Sequence, residues 1–302
     1  MLTVAYNLSI TLKTRLSKVD TLRQKILLIP TSPQTETALR WQTTLFHLEG
    51  WASLSNQPMN KTYILDTINH QHTRVNNPMA YKIVNYKNAI NFVCEQWPAN
   101  PTQVSFKTID ELARLLGVNH GSEKEICSLL NYLQTGQMHP LIQSATAHLY
   151  FYPSRLSYLT SLLFLTKYGY GMRGWLSLED YWSANKQEYL LSIQQATSSA
   201  NTTLWLEYFC QAVIYQMEKI IDFLNHPPQT SHNLPKSYWR LTDRLQEILS
   251  LMEKPDISIS NKKIQSTFNV SQITASRDLA KLTSLGLLIP HGHGRSTYYT
   301  RA

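Results

Sequence analysis

The sequence is short of the residues on which several protein classes depend. Only three cysteines occur in 302 residues, Cys94, Cys127 and Cys210, far apart and odd in number. That argues against a disulfide framework and a structural zinc site, and it fits a reducing compartment. With 10 glycines, a fold built on several glycine-rich phosphate loops is disfavoured. Long apolar runs are missing. The most apolar stretch, Leu156 to Leu165, is too short to span a bilayer and contains Ser157, Thr160 and Ser161. Met1 to Arg15 lacks the basic start, apolar core and small-residue site of a secretory leader. The expectation is a cytoplasmic protein without a membrane partner.

Hydrophobic residues make up 43% and charged residues 16%, enough for a substantial core and too little charge for a disordered chain. At roughly 150 residues per domain, two domains are expected, with one large domain as the alternative. The formal charge of +8 permits nucleic acid as a partner without requiring it.

The periodicity is helical almost throughout. Leu16, Val19, Leu22, Ile26 and Leu27 form a stripe that Pro30 and Thr31-Ser32-Pro33 end. Leu39, Trp41, Leu45 and Leu48 start another, with Gly50 closing it or opening a new turn. Helical spacing returns over Ala80 to Trp97, around Ile109 to Leu115 and Ile126 to Leu133, and over His139 to Leu149 and Leu156 to Leu165. It resumes over Leu178 to Ala184, Glu188 to Gln195 and Leu204 to Phe223. The polar, Pro-rich segment 225–234 reads as a linker. Residues 1–224 then form one helical domain, and residues 235–302 a second, smaller one.

The second domain carries the clearest pattern. Trp239 to Met252 reads as a helix, Ile257 to Ser260 as a short extended piece, and Asn261 to Phe268 as a second helix capped by Ser260. After Asn269-Val270, Ser271 caps a third helix that Gly286 ends. Ala275, Leu279 and Leu282 share its inner face, which turns Thr274, Arg277, Asp278 and Lys281 outward. Leu287 to Ile289 and Ser296 to Tyr299 read as strands joined by a tip at residues 291–295. Three helices and a hairpin make a winged helix-turn-helix, whose third helix fits a major groove. Ten Lys/Arg against five Asp/Glu between Pro235 and Ala302 give this segment +5 of the +8, as phosphate contact favours. The expected contacts to double-stranded DNA are Thr274, Arg277, Lys281 and Arg295, with Lys262 and Lys263. Winged helices also serve as protein-contact modules, so a protein partner stays open.

The first domain resembles Fic family proteins, which transfer nucleotide groups, usually AMP, to protein hydroxyls. His139-Pro140-Leu141-Ile142, followed by Ala145, Ala147-His148 and Phe151, is similar to the helix that precedes the family's catalytic loop. Leu159 to Leu165, Leu204-Trp205-Leu206-Glu207, Leu22 to Leu28, Leu39-Arg40-Trp41 and Asn85 to Ala89 resemble further segments in the family's order. The resemblance implies a mainly α fold: a Fic-like helical bundle, with N-terminal helices over about 1–75 and a core over about 76–224, then the winged helix.

The catalytic loop is where the sequence departs from the family. The family motif supplies a histidine base, an acid for the metal, and a Gly-Asn-Gly turn whose backbone N–H groups hold phosphates. Here Phe151 is followed by Tyr152-Pro153-Ser154-Arg155 and then the leucine-rich helix. No glycine lies between Gly136 and Gly169, and no His, Asp or Glu between His148 and Gly169. Arg155 is the one possible remnant of the nucleotide loop. His139 and His148 read as a helix-start and a packing histidine. The eight-residue link Gly117 to Lys124 is too short for the family's target-binding flap. Glu49-Gly50 resembles the end of the family's inhibitory helix, with Arg155 as a conceivable partner for Glu49. These departures predict no catalytic residues, no metal site and no cofactor. ATP and magnesium enter only under the alternative of an adenylyltransferase with a rearranged site. The leading expectation is a non-catalytic, homodimeric DNA-binding regulator, and the remaining alternative is a protein-interaction module.

Overall fold

The structure, a computed structural model, describes residues 5–69, 77–98, 103–199, 201–226, 241–252, 257–285, 287–292 and 296–301. The chain is mainly α-helical and its described apolar residues form two separate cores. The linker, apart from Asn225 and His226, lies outside the described residues, as do Trp239, Gly286 and Arg295.

Helix α1 (Ile10–Leu28) is N-capped by Ser9, whose Oγ accepts from Leu12 N–H at 3.0 Å. It packs along α11 (Thr203–Asn225), to which Arg15 donates at the Glu207 carbonyl (2.7 Å) and Lys18 pairs with Glu218 (2.7 Å). Helix α2 (Pro33–Leu54) begins with Ser32 as cap and Pro33 at its first position. It runs through Gly50, which the sequence offered as its close or as the opening of a new turn. The reason is a close approach: a Cβ on Gly50 would stand 2.5 Å from the backbone of Glu179 in α9 (Leu178–Ala184). Gly50 serves contact between two helices, not a helix stop.

Helices α3 (Lys61–Asn69) and α4 (Pro78–Asn91) follow, and α4 passes into a π-helical turn over Phe92–Gln96. Helix α5 (Phe106–Leu116) is closed by Gly117 in the left-handed region, and α6 (Glu123–Thr135) comes next. At the centre lie α7 (Pro140–Phe151) and α8 (Leu156–Lys167), buried on nearly every face, as helices apolar all round must be. Hydrogen bonds tie them to each other and to α11: Ser144 Oγ donates to Ser161 O (2.7 Å), and Trp205 Nε1 of α11 donates to Ala145 O (3.0 Å), while Thr146 Oγ1 and Ser157 Oγ are buried without a partner. Helix α10 (Lys186–Ser198) completes the bundle.

The C-terminal part comprises α12 (Asp243–Ser250), β1 (Ile259–Ser260), α13 (Asn261–Phe268), α14 (Gln272–Ser284), β2 (Leu288–His291) and β3 (Tyr298–Arg301). The sheet is antiparallel in the order β1-β3-β2. The extended piece before α13 is thus a third strand. The hairpin pairs Leu288 with Arg301 and His291 with Tyr298, one to two residues later than the sequence pattern placed it. Leu245, Ile248, Ile264, Ala275, Leu279 and Leu282 fill the core beneath.

Candidate functional site

Helix α14 is oriented by its apolar stripe. Ala275, Leu279 and Leu282 are fully buried, so the opposite face is fixed: Gln272, Ile273, Ser276, Arg277 and Ala280 are exposed. Arg277 is exposed and has no ion-pair partner among the described residues. Ile273, 65% exposed, lies one turn before it, an apolar group suited to a thymine methyl. The sequence reading did not single it out.

One sequence expectation changes, that for Asp278. Thr274 is half-buried, and its hydroxyl lies 3.0 Å from that of the cap residue Ser271, which also accepts from Thr274 N–H at 3.2 Å. Its hydroxyl is thereby engaged at the helix cap. Asp278, expected outward, is buried and held by both sides of a guanidinium: Arg244 Nε donates to Oδ2 (2.6 Å) and Nη2 to Oδ1 (3.2 Å). The spacing contains the reason. Position 278 is three after 275 and four before 282, inside the stripe. An acid is thereby withdrawn and neutralised, and the outer face of α14 carries no carboxylate.

Lys262 and Lys263 are exposed in the first turn of α13, and Lys281 is half-buried near the end of α14. Asn261 ties the two helices together: its Nδ2 donates to Ser276 Oγ at 2.7 Å and to Gln272 O at 3.3 Å. Arg277 and the two lysines therefore sit on elements held in fixed relation, while Arg295 lies outside the described residues.

The turn between α7 and α8 spans four residues. Two of its N–H groups are used within the protein: Tyr152 N–H donates to His148 O and Ser154 N–H to Phe151 O. None of Tyr152 to Arg155 has positive φ, so no nest of converging donors forms. Arg155 donates to Leu116 O at 3.3 Å and lies over the Trp51 ring; it does not meet Glu49. Glu49 keeps a buried, unpartnered Oε1, and burial raises its pKa. His139 caps α7, its Nδ1 accepting from Leu141 N–H. His148 is fully buried among Tyr158, Trp182, Tyr189 and Trp205, with Nε2 2.8 Å from the Tyr189 hydroxyl. Burial pushes its pKa down to about 3, so it stays neutral. These residues do not fit a metal-bound nucleotide. Among the described residues, no cluster of His, Cys, Asp or Glu could hold a metal.

A buried group that sequence reasoning missed joins three helices. Glu179 of α9 lies 2.8 Å from His47 Nδ1 of α2 and accepts from the Tyr86 hydroxyl of α4 at 2.7 Å. Burial alone would raise the Glu179 pKa, but His47 and Tyr86 hold it below the usual value. All three are essentially solvent-free, which makes this a clamp within the bundle. No helix among the described residues is long and apolar enough to cross a membrane.

Comparison with known proteins agrees with this geometry. Residues 244–302 match the model of the DeoR-like helix-turn-helix domain. A Fic family protein from Desulfovibrio desulfuricans G20 is similar in structure over 99% of this chain and 98% of its own, at 12% identity and a TM-score of 0.62. Fic-1 from C. elegans is similar over 70% of this chain and 72% of its own, at 15% identity and a TM-score of 0.57. No curated protein matches in sequence. The chain thus has the fold of Fic proteins, followed by a DeoR-like helix-turn-helix.

Proposed function

We propose that this protein is a DNA-binding regulator of transcription whose Fic-like domain is not catalytic. The observation that carries the reading is the outer face of α14: an exposed Arg277, no acid, and the α13 lysines beside it, in a segment that matches a DeoR-like helix-turn-helix. The division into a helical body over 1–224 and a DNA-binding module over 235–302 belongs to this proposal, as does a homodimer reading paired half-sites. On the catalytic side, the Tyr152 and Ser154 N–H groups of the α7–α8 turn donate to neighbouring backbone carbonyls, and Arg155 is turned to Leu116 O and the Trp51 ring, with its Nη1 enclosed and unpartnered. Nucleotidyl transfer rests on positioning and charge stabilisation, and neither group is placed for it.

The test is a mobility-shift titration of the full-length protein on duplex DNA from upstream of its own gene, beside incubation with labelled ATP and magnesium. Salt-dependent DNA binding without label transfer is expected. Label transfer would instead favour a rearranged adenylyltransferase, and absence of any duplex binding at low salt would favour a protein-contact module.

A further inference from the structure

Between the helical body and the winged helix lies a small cleft of about 40 Å³, walled by Arg40, Trp41 and Thr44 of α2, Lys87 of α4, Glu95 of the π-helical turn, and Leu285 after α14. At roughly 10–15 Å³ per water-sized group, that is room for a single oxyanion group with the rest of its molecule outside the cleft. Short π-helical turns of this kind concentrate at functional positions.

Arg40 is the unusual group. It is 9% exposed, and its guanidinium makes no hydrogen bond to a described residue; Nε is wholly buried and unpartnered. The acid on its own helix, Glu36, is committed elsewhere. Glu36 Oε1 accepts from Arg173 Nη1 at 2.8 Å, and Oε2 lies 3.7 Å from Arg301 Nη2 of β3. Arginine does not shed its proton in proteins, and a buried cation without a hydrogen-bonded counter-charge is costly. Lys87, on the same wall, is half-buried, and burial lowers its pKa.

We propose that this cleft binds the oxyanion of a small-molecule effector, a carboxylate or a phosphate, with Arg40 as the principal ligand-binding residue and Lys87 as the second. Glu95 is the one acid in the wall. The charged and titratable groups that face it are Arg40 from α2, Lys87 from α4 and Cys94 on its own turn. Burial lifts its carboxyl to about 7 against the pull of Arg40 and Lys87, so in neutral solution it can be protonated and donate to the bound anion. Because Leu285 immediately follows α14, an occupant would touch the body and the DNA-reading module at once, beside the Glu36–Arg301 contact. The site stands independently of the DNA-binding proposal, since occupancy is read without DNA.

The experiment is isothermal titration of the full-length protein with inorganic phosphate and, separately, sodium succinate, at constant ionic strength, with sodium chloride as control. Saturable millimolar or tighter binding is expected for at least one of the two, and which one identifies the anion. Arg40→Gln should weaken it about tenfold or more, a change of about 1.4 kcal/mol. Lys87→Gln, at the more open edge, should weaken it less and carries the test if Arg40→Gln does not fold. Tighter binding at pH 6 than at pH 8 should disappear in Glu95→Gln. No saturable binding of either anion, or affinity unchanged in a folded variant of both Arg40 and Lys87, overturns the proposal.

Discussion

Arg244 and Asp278 form a two-pronged ion pair that fastens the first helix of the winged module to its recognition helix, with donor–acceptor distances of 2.6 and 3.2 Å. The Asp278 side chain is mostly enclosed, and that of Arg244 is about one-third exposed. A charge-assisted pair of this geometry typically contributes about 1–3 kcal/mol. Asp278→Ala should lower stability by that amount, and the loss should be shared with Arg244→Ala. Chemical denaturation of the two single variants and the double variant checks this. Strict additivity would show that the contact contributes nothing.

Arg277 and Thr274 separate two roles on one helix. Arg277→Ala should reduce DNA affinity by about 1–3 kcal/mol and relax preference at one base pair. Thr274→Val removes a hydroxyl that faces the Ser271 cap, so base preference should stay as it is. Lys262→Ala and Lys263→Ala should each weaken binding to all sequences alike and lower the salt slope by about one unit; the same is expected of Arg295→Ala. The melting temperature of Arg277→Ala should equal that of the parent, since the side chain is exposed. Affinity and base preference both unchanged in Arg277→Ala would remove it from the interface.

The recognition helix was legible because one short stripe, Ala275, Leu279 and Leu282, fixes its rotation. Asp278 lies inside the same stripe by the same arithmetic; a carboxylate there is expected outward by polarity alone, and its burial depends on Arg244, 34 residues away. The clamp of Glu179 with His47 and Tyr86 was not legible, since its partners are 132 and 93 residues away. The Arg40 cleft was hidden for the same reason. Its walls come from α2, α4, the π-helical turn and the residue after α14, and each segment alone shows ordinary helical spacing.

Gly50 and Glu49 test whether this end of α2 is regulatory or structural. In an ordinary helix, replacing Gly by Ala stabilises by about 0.5–1 kcal/mol. Here the added methyl would meet the Glu179 backbone at 2.5 Å. Gly50→Ala should therefore destabilise by about 1–3 kcal/mol, as overpacking does, measured by denaturant titration. Glu49→Gly should produce no ATP turnover, because the α7–α8 turn offers nothing to unblock. Turnover appearing in that variant would show the turn to be a working phosphate site.

The buried His148 and the half-buried Glu95 titrate in opposite senses. Burial holds His148 at about 3, below its ordinary value near 6.5. The unfolded chain therefore takes up this proton first. The stability from His148 is fully present above pH 6.5 and is lost as pH falls toward 3, at up to about 1.4 kcal/mol per unit. Glu95 runs the other way. Its folded value of about 7 lies above its ordinary 4.5, so its contribution is fully present below pH 4.5 and is lost as pH rises through 7. Between pH 4.5 and 6.5 the two slopes nearly cancel, and below 4.5 only the His148 loss continues. Glu95→Gln should uncover a fall in stability from pH 6.5 downward. His148→Phe should uncover a gain as pH is lowered from 7 to 4.5. Urea midpoints of the two variants across this range check both signs, and parallel pH profiles in the parent and both variants would show that neither group titrates as its burial requires.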